Sequence, residues 1–487
     1  MGGLSKKAFQ FDSILSENQR PAVIVDAGAL LFEKELLTPG TREQAMATAE
    51  GIVKAYNLMG YDAVGIARQD LAAGLGFLKD LRTRSEFAWL SANLVAGDTG
   101  RPIFQPSVIL NKGALKVGIT ALTGEAGPLT LAKEDNAVIL PWRDALEPVI
   151  RELNEQCDLI ILLSNQPREQ NRQIATRFAN IHLLIQAGIN TVNLEPELLN
   201  NTLIAQTGKQ GKYLGWLTTD WQPSRTWGDA ALIEKLTAKK NELDGIEWRL
   251  ERYEKQMSAG EHRTHELYAK LKQQGLQLAA EVAELREAAE RMQAGGALPS
   301  SHTNRFIAME ISLPDDQEVL AVVEATKQRV NAIGKETPTR QPGGAPPPEE
   351  PGPESPLAGW RKCAPCHEAQ TASWQSSGHA KAYRTLTETD QNFNLDCLPC
   401  HVTFDPELLA PAEGIEGALL HLPAALQAVG CEVCHGPGQQ HAAAPGENRM
   451  IVRPAESICR RCHTTEQSPA FDYRKKLETI DHGGGER

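Results

Sequence analysis

A chain of 487 residues is longer than one hydrophobic core usually fills, so more than one domain is expected, and an apolar content of 41% is ordinary for globular chains. Its 62 acidic against 50 basic side chains, a net charge of −12, argue against a nucleic-acid binder, which needs a basic face to displace phosphate counterions. No uncharged apolar run approaches the roughly eighteen residues of a membrane-spanning helix.

From residue 1 to 227, short apolar runs alternate with amphipathic stretches, the pattern of an α/β domain with buried strands. Strands are expected over 22–25, 63–66, 115–122, 159–163, 182–185 and 213–217, and helices over 42–58 and 144–156. Cys157, the one cysteine outside a pair, opens an apolar run and reads as a small core residue. Residues 228–295 shift to Glu, Lys, Arg, Ala, Leu and Gln. Leu236, Leu243, Ile246, Leu250, Tyr253 and Met257 follow a three-four repeat, and Leu267, Leu271, Leu278, Leu285 and Met292 form a second. An antiparallel αα-hairpin with arms of roughly 45 Å is expected, either a solvated spacer or a coiled coil for self-association. Residues 296–335 carry a strand at 306–311 and a helix at 316–333, expected to pack on the first domain. Residues 336–357, rich in Pro, Gly and Glu, read as an extended linker.

The remaining segment, 358–487, holds the other eight cysteines, all in C-x-x-C-H motifs: Cys363-Ala-Pro-Cys366-His367, Cys397-Leu-Pro-Cys400-His401, Cys431-Glu-Val-Cys434-His435 and Cys459-Arg-Arg-Cys462-His463. Each cysteine pair can form thioethers to the two vinyl groups of one haem, with the adjacent histidine as proximal iron ligand. Zinc ribbons and redox dithiols also pair cysteines, but neither requires a histidine after every pair. A mostly helical domain with four haems c is therefore expected, the porphyrins supplying much of its apolar core. Haem attachment to such motifs takes place outside the cytoplasm, so a periplasmic or extracellular location is expected, with the export segment outside this sequence.

Four further histidines, His379, His441, His482 and His421, could complete the irons. Four bis-histidine irons would leave no open position and favour electron transfer. His421, in an apolar helix-like run, is equally readable as a half-buried non-ligand, and one iron would then be five-coordinate. His182, His262, His265 and His302 are given no role.

In motif count, and in the contexts Ser377-Gly-His379-Ala, Cys431-Glu-Val-Cys434-His435-Gly-Pro-Gly438 and Phe471-Asp-Tyr473, residues 356–482 resemble the cytochrome c-554 family of tetrahaem proteins. The resemblance implies closely packed haems, with His379 and His441 donated to haems other than their nearest in sequence and His482 to the last. It also implies that the haem at His401 can be five-coordinate.

The first 220 residues resemble 5′-nucleotidase-type metallophosphoesterases, in Val25-Asp-Ala-Gly28, Tyr61-Asp-Ala-Val-Gly65, Leu90-Ser-Ala-Asn93-Leu and Lys116-Val-Gly-Ile-Thr-Ala-Leu-Thr-Gly124. The family's opening Asp-x-His strand would precede Gly2. Where the family has Gly-Asp, this chain has Gly28-Ala29, and Gly-Asn-His-Glu-x-Asp becomes Gly65-Ile66-Ala67-Arg68-Gln69-Asp70. Ser164-Asn165-Gln166 and 187–190 lack the later histidines, so hydrolysis is not expected. The expected function is an exported carrier between redox partners, such as cytochromes, quinol-linked donors and terminal acceptors, with a docking or scaffolding domain. The alternatives are a haem enzyme acting on a small nitrogen species at one open iron, and a metal-dependent nucleotide hydrolase fused to a cytochrome.

Overall fold

The computed structural model describes residues 3–482, apart from 19, 126, 128, 130–134, 188–192, 209–210, 228–238, 241, 248, 251–253, 255–261, 294–298, 311, 338–346, 405–414, 465–466 and 469. The first domain opens with α1 (Leu4–Glu17), β1 (Val25–Asp26), α2 (Arg42–Leu58), β2 (Ala63–Gly65), α3 (Leu75–Thr83) and β3 (Ala88–Leu90). It continues through β4 (Leu94–Ala96), β5 (Ser107–Lys112), β6 (Leu115–Leu122), β7 (Ala137–Ile139), α4 (Trp142–Gln156), β8 (Leu159–Ser164) and α5 (Arg168–Arg177). Then come β9 (Leu183–Gln186), β10 (Leu194–Leu199), β11 (Thr202–Gln206) and β12 (Tyr213–Asp220).

Strands β1, β2 and β3 form one parallel sheet; a second has the order β10-β11-β9-β8-β6-β5. The two sheets share a core in which Ala27, Ala63 and Leu90 meet Val117, Ile119 and Leu163. Helices cover the outer faces, with Val53, Leu78 and Val323 on one side and Leu146, Ile150 and Ile174 on the other. Every residue of β8 is buried, because both faces of a central parallel strand are covered. Cys157 lies in this core, at the end of α4.

The first strand is shorter than the pattern 22–25 suggests. Asp62 accepts the Ile24 N–H through its carboxylate at 2.9 Å, which takes that group out of the ladder before Val25. Conversely, the strand expected at 306–311 forms earlier, as β13 (Ser301–Ala308), because its antiparallel pairing with β12 runs from Asp220 opposite Ser301 to Tyr213 opposite Ala308. The next helix, Gln317–Glu336, crosses α2 closely at Gly51, where a Cβ would overlap Thr326.

Helical residues between 239 and 254 lie antiparallel to the helix His262–Gln293. Lys239 pairs with Glu281 at 3.2 Å, a Cβ at Gly275 would lie 3.3 Å from Ile246, and the Tyr268 hydroxyl donates to Glu254 at 2.6 Å. Leu236, Tyr253 and Met257 of the expected repeat lie outside the described residues.

The C-terminal module is built of short helices around a small cluster of Leu357, Leu386, Leu395, Leu398, Leu420 and Leu426. The second half of the proline-rich linker packs on this module rather than standing free. Ala424 and Ala425 donate their N–H groups to the carbonyls of Pro348 and Glu349, at 3.1 and 3.0 Å, because proline-rich backbone keeps its acceptors while offering few donors. Among the described residues, no helix is long and apolar enough to cross a membrane.

Candidate functional site

Each C-x-x-C-H motif forms about one helical turn, which brings its two cysteines to one side and sets the histidine one turn beyond the first. The backbone N–H groups of His367 and His463 donate to the carbonyls of Cys363 and Cys459 at 3.0 and 2.9 Å, Cys397 caps the helix Leu398–His401, and the third motif forms the helix Cys431–His435. Sulfurs of different motifs lie side by side, Cys363 with Cys431 and Cys400 with Cys462, and Cys434 lies near Cys459. The motifs therefore lie in the spatial order first, third, fourth, second.

Three motif histidines each face a histidine from outside the motifs. The ring centres of His367 and His441 are 6.3 Å apart, those of His463 and His379 6.1 Å, and those of His435 and His482 5.8 Å. Two imidazoles whose nitrogens each sit about 2 Å from one metal ion have ring centres about 6 Å apart, so the spacing fits a shared iron. The tautomers fit as well. Nδ1 of His435 lies 2.5 Å from the Ile451 carbonyl, Nδ1 of His441 2.7 Å from that of Asn448, and Nδ1 of His463 3.1 Å from the Ser468 hydroxyl. Donating Nδ1–H to a carbonyl leaves the Nε2 lone pair for a metal. Burial, then the facing imidazole, lowers the pKa of His379 and of His482, which favours the neutral ligand form. His482 faces the third motif rather than the last, because the helix Tyr473–Ile480 is pinned near that motif by the Tyr473 hydroxyl donating to the Pro454 carbonyl at 2.7 Å.

His401 has a different setting. Its Nδ1 lies 2.8 Å from the Ala382 carbonyl, and among the described residues no second imidazole faces it. His421 instead points Nε2 at the Thr337 carbonyl, 3.0 Å away, with its ring centre 6.5 Å from Phe393.

Two residues that the sequence offers only as motif context take structural roles. Glu432, inside the third motif, is buried and accepts the N–H groups of Ala358, Gly359 and Gly438 at 2.8, 2.8 and 2.7 Å, fastening the approach to the first motif onto the third. A carboxylate between the two cysteines of a C-x-x-C-H motif was the available signal, since a buried charge needs such partners. Phe471 stacks on His463 with ring centres 4.6 Å apart and planes 12° apart, and nothing in its spacing announces that contact.

In the first domain, the crevice at the ends of β1, β2 and β8 is filled. The Asp70 carboxylate is fully buried and accepts N–H groups of Ala29, Leu30, Leu31 and Ala67 at 2.9–3.0 Å; burial raises its pKa to about 6 against those bonds. Arg68 makes a two-point ion pair with Glu35 at 3.0 and 2.9 Å and donates to the Gly127 carbonyl. Asn165 donates to the Ala27 carbonyl at 2.5 Å, and a Cβ at Gly28 would lie 2.6 Å from the Gly65 carbonyl.

The four turns, three of them with an apposed imidazole, have the form of a c-type cytochrome module, joined to an α/β domain. Residues 362–436 match the family described as cytochrome c554 and c-prime. The chain is 35% identical over 140 residues to cytochrome c-554 of Nitrosomonas europaea, covering 25% of this chain and 52% of that protein. It is 24% identical over 239 residues to the 5′-nucleotidase of Vibrio parahaemolyticus, covering 41% of this chain and 42% of that protein. The chain thus spans about half or less of these relatives. Among solved structures, a 5′-nucleotidase precursor from Thermus thermophilus aligns with a TM-score of 0.43 and 14% identity, covering 68% of this chain and 53% of that one.

Proposed function

We propose that the protein is an exported multihaem cytochrome that passes electrons between redox partners in the periplasm or outside the cell. Cys363 and Cys366, Cys397 and Cys400, Cys431 and Cys434, and Cys459 and Cys462 would each hold one haem c, with His367, His401, His435 and His463 as proximal ligands. The observation that carries this reading is the set of three facing imidazole pairs at 5.8–6.3 Å, each joining one motif histidine to His441, His482 or His379. The bound groups supply one-electron redox chemistry. The chain's own residues would fix His401, His435, His441 and His463 through Nδ1 and keep neighbouring motifs together for transfer in the order first, third, fourth, second.

The setting of His401 favours a second reading, in which the second haem keeps an open position and acts on a small nitrogen species. The described contacts of His421 go to Thr337 and Phe393, which supports a five-coordinate iron there. Hydrolysis at the first domain is disfavoured because Arg68, Asn165 and the Asp70-bound loop fill the former metal crevice, so that domain is assigned a scaffolding role. Electron paramagnetic resonance of the oxidised, haem-loaded protein, quantified per iron, tests both readings. Four low-spin irons fit a carrier alone; a high-spin signal worth one iron moves the enzyme reading ahead; irons high-spin throughout would defeat the ligand pairs.

A further inference from the structure

Among the described residues, the hydrogen bonds from the first domain to the cytochrome module end on residues 391–395 and on His421. That segment runs directly into Cys397. The buried side chain of Gln44 grips it at two points, donating from Nε2 to the Phe393 carbonyl at 2.7 Å and accepting the Leu395 N–H at Oε1 at 3.0 Å. Asn331, on the helix Gln317–Glu336, accepts the Phe393 N–H at 2.8 Å. Three residues on, Gly334 leaves no space at all, since a Cβ there would overlap the Phe393 carbonyl. One turn of backbone further, Thr337 accepts the Nε2–H of His421 at 3.0 Å.

A scaffold that merely tethered the module could attach at any surface. This one grips backbone two to four residues ahead of one C-x-x-C-H cysteine, and engages His421, the module histidine outside the motifs that faces no motif histidine.

We infer that the phosphoesterase-like domain positions the second haem motif: Gln44 and Asn331 set the segment leading into Cys397, and Thr337 holds His421 away from the iron of His401. The inference rests on the reading of His401 as a haem ligand. Gln44 and Asn331 are positioning residues, since neither touches the group itself.

The test uses the full-length, haem-loaded protein with Gln44→Leu, Asn331→Ala and Asn331→Asp, the last keeping the acceptor for Phe393. Amide exchange is expected to speed up about tenfold at 395 in Gln44→Leu and at 393 in Asn331→Ala, as a lost hydrogen bond of roughly 1.4 kcal/mol predicts. The resonance signal and midpoint potential of the second haem are expected to shift in the same two variants, with the other three haems unchanged and Asn331→Asp restoring the wild-type values. Faster exchange with an unmoved second haem would overturn the inference, leaving the contact purely structural. Equal shifts in all four haems would overturn it too. Four low-spin irons in the wild type would defeat the open-iron reading and the withholding of His421; positioning by Gln44 and Asn331 would then stand or fall on exchange and the second haem's potential.

Discussion

His379 and His463 face each other with ring centres 6.1 Å apart, although the first follows the opening haem motif and the second closes the last. No local constraint of sequence brings them together. The packing of the short helices between them does, and with it a spacing that suits one iron between two imidazoles. The same packing sets His441 against the first motif and His482 against the third.

Replacing His379 by alanine should therefore convert one iron from low to high spin and leave the rest unchanged. Electron paramagnetic resonance per iron checks this, with carbon monoxide binding as a second readout. An unaltered spectrum would mean that His379 is not a ligand.

His421→Gln keeps a side-chain donor for the Thr337 carbonyl and removes the imidazole. The spin state of all irons is expected to match the wild type, because His421 is engaged with Thr337 at 3.0 Å. A new high-spin iron in this variant would show instead that His421 ligates.

Glu432 gathers three backbone N–H groups into one buried carboxylate. Glu432→Ala would leave those donors without their acceptor, at a cost of about 3 kcal/mol. Urea unfolding of the haem-loaded protein should show the loss, and exchange at Ala358 and Gly359 should quicken. Unchanged protection at those two amides would contradict the role assigned to Glu432.

His182 supplies a pH dependence whose sign can be worked out. Burial, and then the Arg225 charge, lower its pKa to about 3 from an ordinary value of 6.5, and its Nδ1 accepts the Ile160 N–H at 2.9 Å. The folded state thus holds the neutral ring, so this contribution is complete above the unfolded value and is lost as pH falls from about 6.5 towards 3. Between pH 7 and pH 5 the loss is about 2 kcal/mol. His182→Leu should cost about 1–3 kcal/mol at pH 7 through the orphaned Ile160 N–H, yet flatten the decline towards pH 5. Urea midpoints at the two pH values compare the slopes, and parallel slopes would refute the assignment.

The filled crevice predicts no phosphate release from a nucleoside monophosphate above the buffer rate with manganese or zinc present. It also predicts no divalent metal retained after gel filtration. Retained metal together with phosphate release would restore the hydrolase reading.

Much of this protein could be read from its residues alone, for reasons local to the chain. The C-x-x-C-H motifs pack their chemistry into five consecutive positions, so the candidate ligand histidines could be nominated without a fold. The runs of β6 and β8 read as strands because buried parallel strands are apolar on both faces. Gly28-Ala29 and Ala67-Arg68 depart from the 5′-nucleotidase pattern at positions legible in the chain itself.

What the tertiary structure alone decided is every pairing across long stretches of chain. Spacing could nominate His379, His441, His482 and His421 but could not say which motif each one faces, because short helices with little periodicity carry no long-range register. The onset of β13 at Ser301 depended on its partner β12, and the packing of 348–349 on the module depended on Ala424 and Ala425. The hold of Gln44 on Phe393 and Leu395 had no trace in the sequence, since a glutamine on an amphipathic helix looks solvent-facing until the surface that buries it is in place.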